Sequence, residues 1–301
     1  MTRRILHGLA LVAGLLLAGC TAAPRRPAPI ESASAAAPAA PIAAQATPSA
    51  PAPADTVADA PDSTPWQRMR ARFVLDGCGY SSEVERWARQ YTRAPQRFAE
   101  SWQPAMPFLL LVLDEIERRG LPGEFALLPY VESRYRPLPS KGNLPAGMWQ
   151  LMPATARDRG LLIDADYDGR LDAIDSTRVA LDLIERYDRE FGDWRVATMA
   201  FNAGEFRLKR QLAGRDAAGL DAGALARLEL NRITHDHLAR MLALACIVSN
   251  PERFAVELPL PRPGDPLVIQ PFDARIDLRV AARAADLPEH EFARFNAAHR
   301  G

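Results

Sequence analysis

The sequence has no net charge: across 301 residues, 37 basic side chains balance 37 acidic ones. That balance gives no reason to expect nucleic acid or steering by net charge, and no basic run with interleaved aromatics appears. Long apolar runs are as scarce. The stretch Ile5 to Ala18 is too short for a comfortable membrane span. Cysteine occurs only at Cys20, Cys78 and Cys246. His235 and His237 lie two apart on a helical pattern, so they face different ways and make a poor metal pair. No β-sheet core is visible.

What is present falls into four segments. Arg3 and Arg4 ahead of the short apolar stretch read as a secretory signal over residues 1–19. Its ending, Leu17-Ala18-Gly19-Cys20, resembles a bacterial lipobox, which implies cleavage before Cys20 and lipidation of that residue. Thr21, rather than Asp, after the cysteine points to an outer-membrane lipoprotein facing the periplasm. Residues 20–65 hold ten of the 26 prolines, with Ala, Ser and Thr between them. Such a segment buries too little surface to offset chain entropy and is expected to be a disordered tether. It would span roughly 35–40 Å as a coil and up to about 140 Å as polyproline.

Residues 66–258 read as a compact all-α domain. Helices are expected over Trp66–Val74, from a Ser82/Glu85 capping box through Tyr91, and over Pro107–Arg119 with Gly120 as the stop. Pro122 suits the first turn of the segment that delivers Glu132, and Pro129 suggests a kink within it. Asp175 is read as the cap of a periodic helix ending at Gly192, Asp193 as the cap of the next, and Thr234 as the start of the last large one. Residues 259–301 change character: prolines, a strand near Leu267–Gln270, and two short helices around Leu278–Ala285 and Glu289–Phe295.

The chain is organised around residues 127–161. An apolar helical segment stops at Glu132-Ser133, a loop with Pro137, Pro139, Gly142 and Pro145 follows, and a second helix is expected from Gly147, with Met148, Leu151, Met152 and Thr155 at helix spacing. A carboxylic acid at the end of a greasy helix, facing such a loop, is where a proton donor can be kept, because desolvation disfavours the charged form. A glutamate in a last helical turn also opposes the helix dipole, a placement that calls for a reason.

Glu132-Ser133, Ala146-Gly147-Met148-Trp149-Gln150-Leu151-Met152-Pro153-Ala154-Thr155-Ala156, and Gly192-Asp193-Trp194 with Ala200-Phe201-Asn202-Ala203-Gly204 stand in the order of a known signature. The chain from residue 66 on resembles the lytic transglycosylases of the soluble-lytic-transglycosylase family. The resemblance implies a lysozyme-like helical fold and cleavage of the β-1,4 bond between N-acetylmuramic acid and N-acetylglucosamine in peptidoglycan. Residues 259–301 are similar to one half of a LysM module, a small α/β appendage without its closing strand.

Common glycosidases place two carboxylates about the scissile bond. The resemblance implies one, Glu132, which protonates the leaving oxygen and then takes a proton from the muramic acid C6 hydroxyl. That hydroxyl closes on C1 as a 1,6-anhydro ring, an intramolecular attack at high effective concentration. By the same resemblance Ser133, Met148, Gln150, Met152, Phe201 and Asn202 line the sugar groove, while Trp149 is read as packing. No cofactor or metal is implied, and the partners are glycan strands and, through the lipid, a membrane, with the protein as a monomer.

The sequence departs from the family at Phe201, where Tyr is usual, at Lys141 for Ser, and at Ile233-Thr234 with His237, where Glu-Thr and a Tyr three residues on are found. These departures keep two alternatives open: a degenerate fold that binds glycan without cutting it, and a hydrolytic muramidase. Asp164, Asp166, Asp168 and Asp175 fit a calcium loop on paper, with a turn and cap as the other reading. Cys78 and Cys246 read either as a disulfide in an oxidising periplasm or, for Cys246, as a buried thiol.

Overall fold

The computed structural model describes residues 3–8, 63–272 and 276–300. Residues 20–62, with the lipobox cysteine Cys20 and most of the expected tether, lie outside the described residues, as does most of the signal stretch. The elements in chain order are β1 (Arg3–Gly8), α1 (Pro65–Arg70), α2 (Ser82–Tyr91), α3 (Pro95–Glu100), α4 (Met106–Arg119), α5 (Leu128–Ser133), α6 (Pro153–Asp158), α7 (Ala173–Phe191), α8 (Trp194–Ala203), α9 (Glu205–Leu212), α10 (Ala222–Ala226), α11 (Arg232–Ser249), β2 (Leu267–Phe272), α12 (Leu278–Ala284) and α13 (Glu289–Phe295). No helix among the described residues is long and apolar enough to cross a membrane.

The core sits between α4, α7, α8 and α11. Phe108, Leu109, Val112, Leu113 and Ile116 of α4 are buried, with Val179, Ala180, Leu181 and Ile184 of α7, Val196, Ala197, Met199 and Ala200 of α8, and nearly all of α11 from Met241 to Val248. Each fully buried side chain of this size is worth about 1.5–3 kcal/mol in transfer from water. A second aromatic block, Trp66, Phe98, Trp102 and Tyr130, pins the N-terminal helices; the Trp102 and Tyr130 rings stack at 3.9 Å.

Most stop signals act as expected. Gly120 and Gly192 end α4 and α7 in the left-handed conformation, and Asp193 caps α8 by accepting from the Arg195 and Val196 amides. Other boundaries move. α1 ends at Arg70 rather than Val74, under a capping box of Thr64 and Gln67. The cap of α2 is Ser81, not Ser82, accepting from the Val84 amide, while Glu85 pairs with Arg89 and Arg253. Asp172, not Asp175, caps α7, accepting from the Ile174 and Asp175 amides. Asn231 rather than Thr234 opens α11. Pro129 causes no kink, for a 3-10 turn over Gly123–Leu127 precedes it and α5 begins at Leu128 with Pro129 in its first turn.

The C-terminal segment keeps its expected strand–helix–helix order, and β2 pairs antiparallel with β1, from Arg3↔Phe272 to Gly8↔Leu267. The expected signal residues Arg3–Gly8 are therefore a strand here, and they supply the neighbour that β2 would otherwise lack. Phe295 packs edge-on against Phe108, and Arg300 reaches Asp168. Cys78 and Cys246 are disulfide-bonded, joining the segment before α2 to α11 across 168 residues.

Candidate active site

α5 is a single apolar helix of six residues, and it ends because two successive non-glycine residues, Arg134 and Tyr135, adopt left-handed backbone at φ 56° and 60°. Such conformations cost of order 1–3 kcal/mol each and persist only where the surroundings impose them. Here the buried Tyr135 hydroxyl donates to the Ala126 carbonyl, and Arg136 Nε donates to the Ser133 carbonyl. The reversal leaves Glu132 in the last turn, its side chain 15% exposed. Its carboxyl is neither splayed into solvent nor sealed.

The segment after the loop is not a helix. Residues 146–151 form a tight turn closed by a backbone bridge between Ala146 and Leu151, and α6 starts only at Pro153. Gly147 has φ +80°, and a Cβ there would meet the Arg170 carbonyl oxygen at 1.8 Å. Gln150 is also left-handed, at φ 49°. The turn is stapled from behind by Arg170, which donates to the Leu144 carbonyl at 2.8 Å and is paired with the fully buried Asp168. Arg300 also binds Asp168, so both carboxylate oxygens face guanidinium groups. Among the described residues no group of three or more His, Cys, Asp or Glu side chains is placed to hold a metal.

The residues singled out in the sequence lie along a closed chain of contacts. Ser133 Oγ is buried and donates to the Met148 carbonyl at 2.9 Å, fastening α5 to the turn. Met148 itself is buried, and Gln150 Nε2 donates to the Gly147 carbonyl at 2.7 Å. Trp149, fully buried, donates to Thr177 and meets the half-buried Phe201 ring edge-on at 6.3 Å. The next residue, Asn202, is exposed and accepts from Thr234 Oγ at 2.9 Å. One turn along α11, His237 Nε2 lies 2.7 Å from Glu132 Oε1, which closes the ring. Met152 is partly exposed, at the end of the turn.

Glu205, in the first turn of α9 just after Asn202-Ala203-Gly204, is a carboxyl of a different kind. It is bound by Lys209 and by Arg186; the Lys209 hydrogen bond, helped by Arg186, outweighs burial and holds it below the usual carboxylate range. Among the described residues Glu132 has no Arg or Lys ion-pair partner; its partner is His237. Its histidine partner was visible in the sequence only as a departure from the family pattern, and the Asp168–Arg170 pair only as part of an acidic series. The Thr234–His237 spacing, which puts both side chains on one helix face, was the available signal.

Residues 115–221, which hold Glu132 and the Gly-Met-Trp-Gln turn, match the family described as transglycosylase SLT domain. The chain is similar to membrane-bound lytic murein transglycosylase D of Escherichia coli (strain K12), at 29% identity over 294 residues, covering 97% of this chain and 64% of that protein. The same protein of Escherichia coli O6:H1 matches to the same extent. A protein of Alteromonas sp. (strain M-1) named for tributyltin chloride resistance is 42% identical over 110 residues, 36% of this chain and 53% of its own length. The chain thus spans 64% of the length of the two transglycosylases it matches.

Proposed function

We propose that the chain is a lytic transglycosylase of peptidoglycan, cleaving the bond between N-acetylmuramic acid and N-acetylglucosamine with formation of 1,6-anhydro-N-acetylmuramic acid. The observation that carries this reading is the placement of Glu132: a part-buried carboxyl in a ring of contacts that joins three signature blocks and ends on His237. In its acid form Glu132 gives its proton to the bridging oxygen as the C1–O bond breaks. The resulting carboxylate takes the proton of the C6 hydroxyl as O6 bonds to C1. Protons and bonds balance without water or a cofactor, and one carboxyl suffices because the substrate attacks itself.

Ser133 and Met148 act on this reading through the turn they brace, while Gln150, Met152, Phe201 and Asn202 line the glycan groove. Cys20 is the proposed lipid attachment site, holding the protein on the outer membrane within reach of the wall; cleavage before Cys20 would also remove β1. Digestion of purified sacculi by the full chain, with products read by mass spectrometry, is the test. Anhydro-muropeptides are expected, and Glu132→Gln should lower their release at least ~10³-fold. Reducing-end products alone, or an unimpaired Glu132→Gln, would overturn the assignment.

A further inference from the structure

His237 lies beyond the matched transglycosylase segment, and the reaction described above gives it no task. It sits on α11, 4% exposed, with Nε2 on Glu132 Oε1; Nδ1 is buried with no partner among the described residues. Its helix is fixed against α5 at a second point, since Arg240 donates to the Val131 carbonyl at 2.9 Å and to the Tyr91 hydroxyl at 3.0 Å. Asp236, on the other side, is engaged by Trp87 and Arg86. The imidazole is therefore held in place, and its one polar contact is the carboxyl.

The two nitrogens are not equivalent in this setting. A proton on Nδ1 would bury an N–H without an acceptor, leaving its desolvation uncompensated. Buried orphan N–H groups are rarer than under-satisfied acceptors. It would also turn Nε2 into an acceptor, drawing the Glu132 proton toward the ring and away from the substrate. A proton on Nε2 leaves a bare lone pair at Nδ1 and provides a donor aimed at Oε1.

We infer that His237 is the positioning residue of Glu132: as the Nε2–H tautomer it donates to Oε1 throughout, so that the other carboxyl oxygen carries the transferable proton. This rests on the proposed role of Glu132. In the acid form Oε1 is the carbonyl oxygen and accepts an ordinary hydrogen bond. As the proton leaves, negative charge develops and the same bond becomes charge-assisted, hence stronger. An interaction that strengthens toward the transition state raises turnover rather than affinity.

The test uses the full chain with ¹⁵N-labelled histidine and a soluble glycan strand as substrate. Long-range ¹H–¹⁵N correlation should show His237 protonated at Nε2 and bare at Nδ1; the reverse pattern overturns the inference. His237→Phe should lower kcat about 10–100-fold with KM nearly unchanged, and His237→Gln, which keeps an N–H at similar reach, should recover most of that loss. Full turnover by a folded His237→Phe, with Glu132→Gln inactive, sinks the positioning role and leaves the acid assignment standing. Full turnover by Glu132→Gln removes both. Should His237→Phe not fold, the tautomer of the unaltered protein decides.

Discussion

The Cα of Gly147 lies against the Arg170 backbone so closely that a side chain there would overlap the carbonyl oxygen, at 1.8 Å from an ideal Cβ. The contact is backbone on backbone, so no rotamer change relieves it. It explains the glycine in the Ala-Gly-Met-Trp block, and the turn it permits is what brings the Met148 carbonyl to Ser133.

Gly147→Ala should therefore harm both stability and chemistry. A left-handed alanine and a steric clash together are expected to cost about 2–5 kcal/mol. Any shift of the turn that relieves the overlap disturbs the Met148 carbonyl held by Ser133, so product release should fall more than tenfold even in the fraction that stays folded. Thermal melting and the sacculus digest measure the two effects separately. An unchanged melting temperature would show that the turn is not confined as described.

Asp168 is the second lever on the same turn. It is fully buried, and although burial works to raise its pKa, the Arg170 hydrogen bonds and charge, with Arg300, outweigh that and hold it below the usual carboxylate range. A carboxyl with a lowered folded pKa stabilises at pH above its unfolded value, near ~4, and that contribution disappears as pH falls through the folded value. Asp168→Asn should destabilise by about 3–5 kcal/mol at neutral pH, since the buried Arg170 charge loses its partner. The gap between the variant and the unaltered protein should close as melting is repeated at acid pH. A gap that stays constant down to pH ~2 would contradict the pairing.

The Cys78–Cys246 bond closes a loop of 168 residues and ties the segment before α2 to the helix that carries His237. Replacing both cysteines by alanine should cost about 2–5 kcal/mol, mainly by freeing the unfolded chain. The unaltered protein should show a mass two hydrogen atoms lower without reductant than with it. Equal masses would mean that the thiols are free.

The sequence is most legible where the physics is local. Helices α4, α7, α8 and α11 follow from apolar spacing, with Gly120, Gly192 and Asp193 as stops and starts. Boundaries slip by one to three residues where two capping side chains compete, as Asp172 does with Asp175 and Ser81 with Ser82. The clear misreading is residues 147–152. Met148, Leu151, Met152 and Thr155 are spaced as on a helix, but the close approach of Arg170 selects a turn, and Arg170 is distant in sequence.

What the residues alone determined is the helical class and the order of the motif blocks, with Glu132 singled out as a candidate, because periodicity, caps and a short signature are all written within a few neighbouring positions. What only the tertiary structure decided is how that carboxyl is held. Its histidine lies 105 residues away, Trp149 of the turn meets Phe201 of α8, and the cysteines pair across 168 residues. Such contacts arise from how whole helices pack, and no local pattern encodes which side chains that packing brings together.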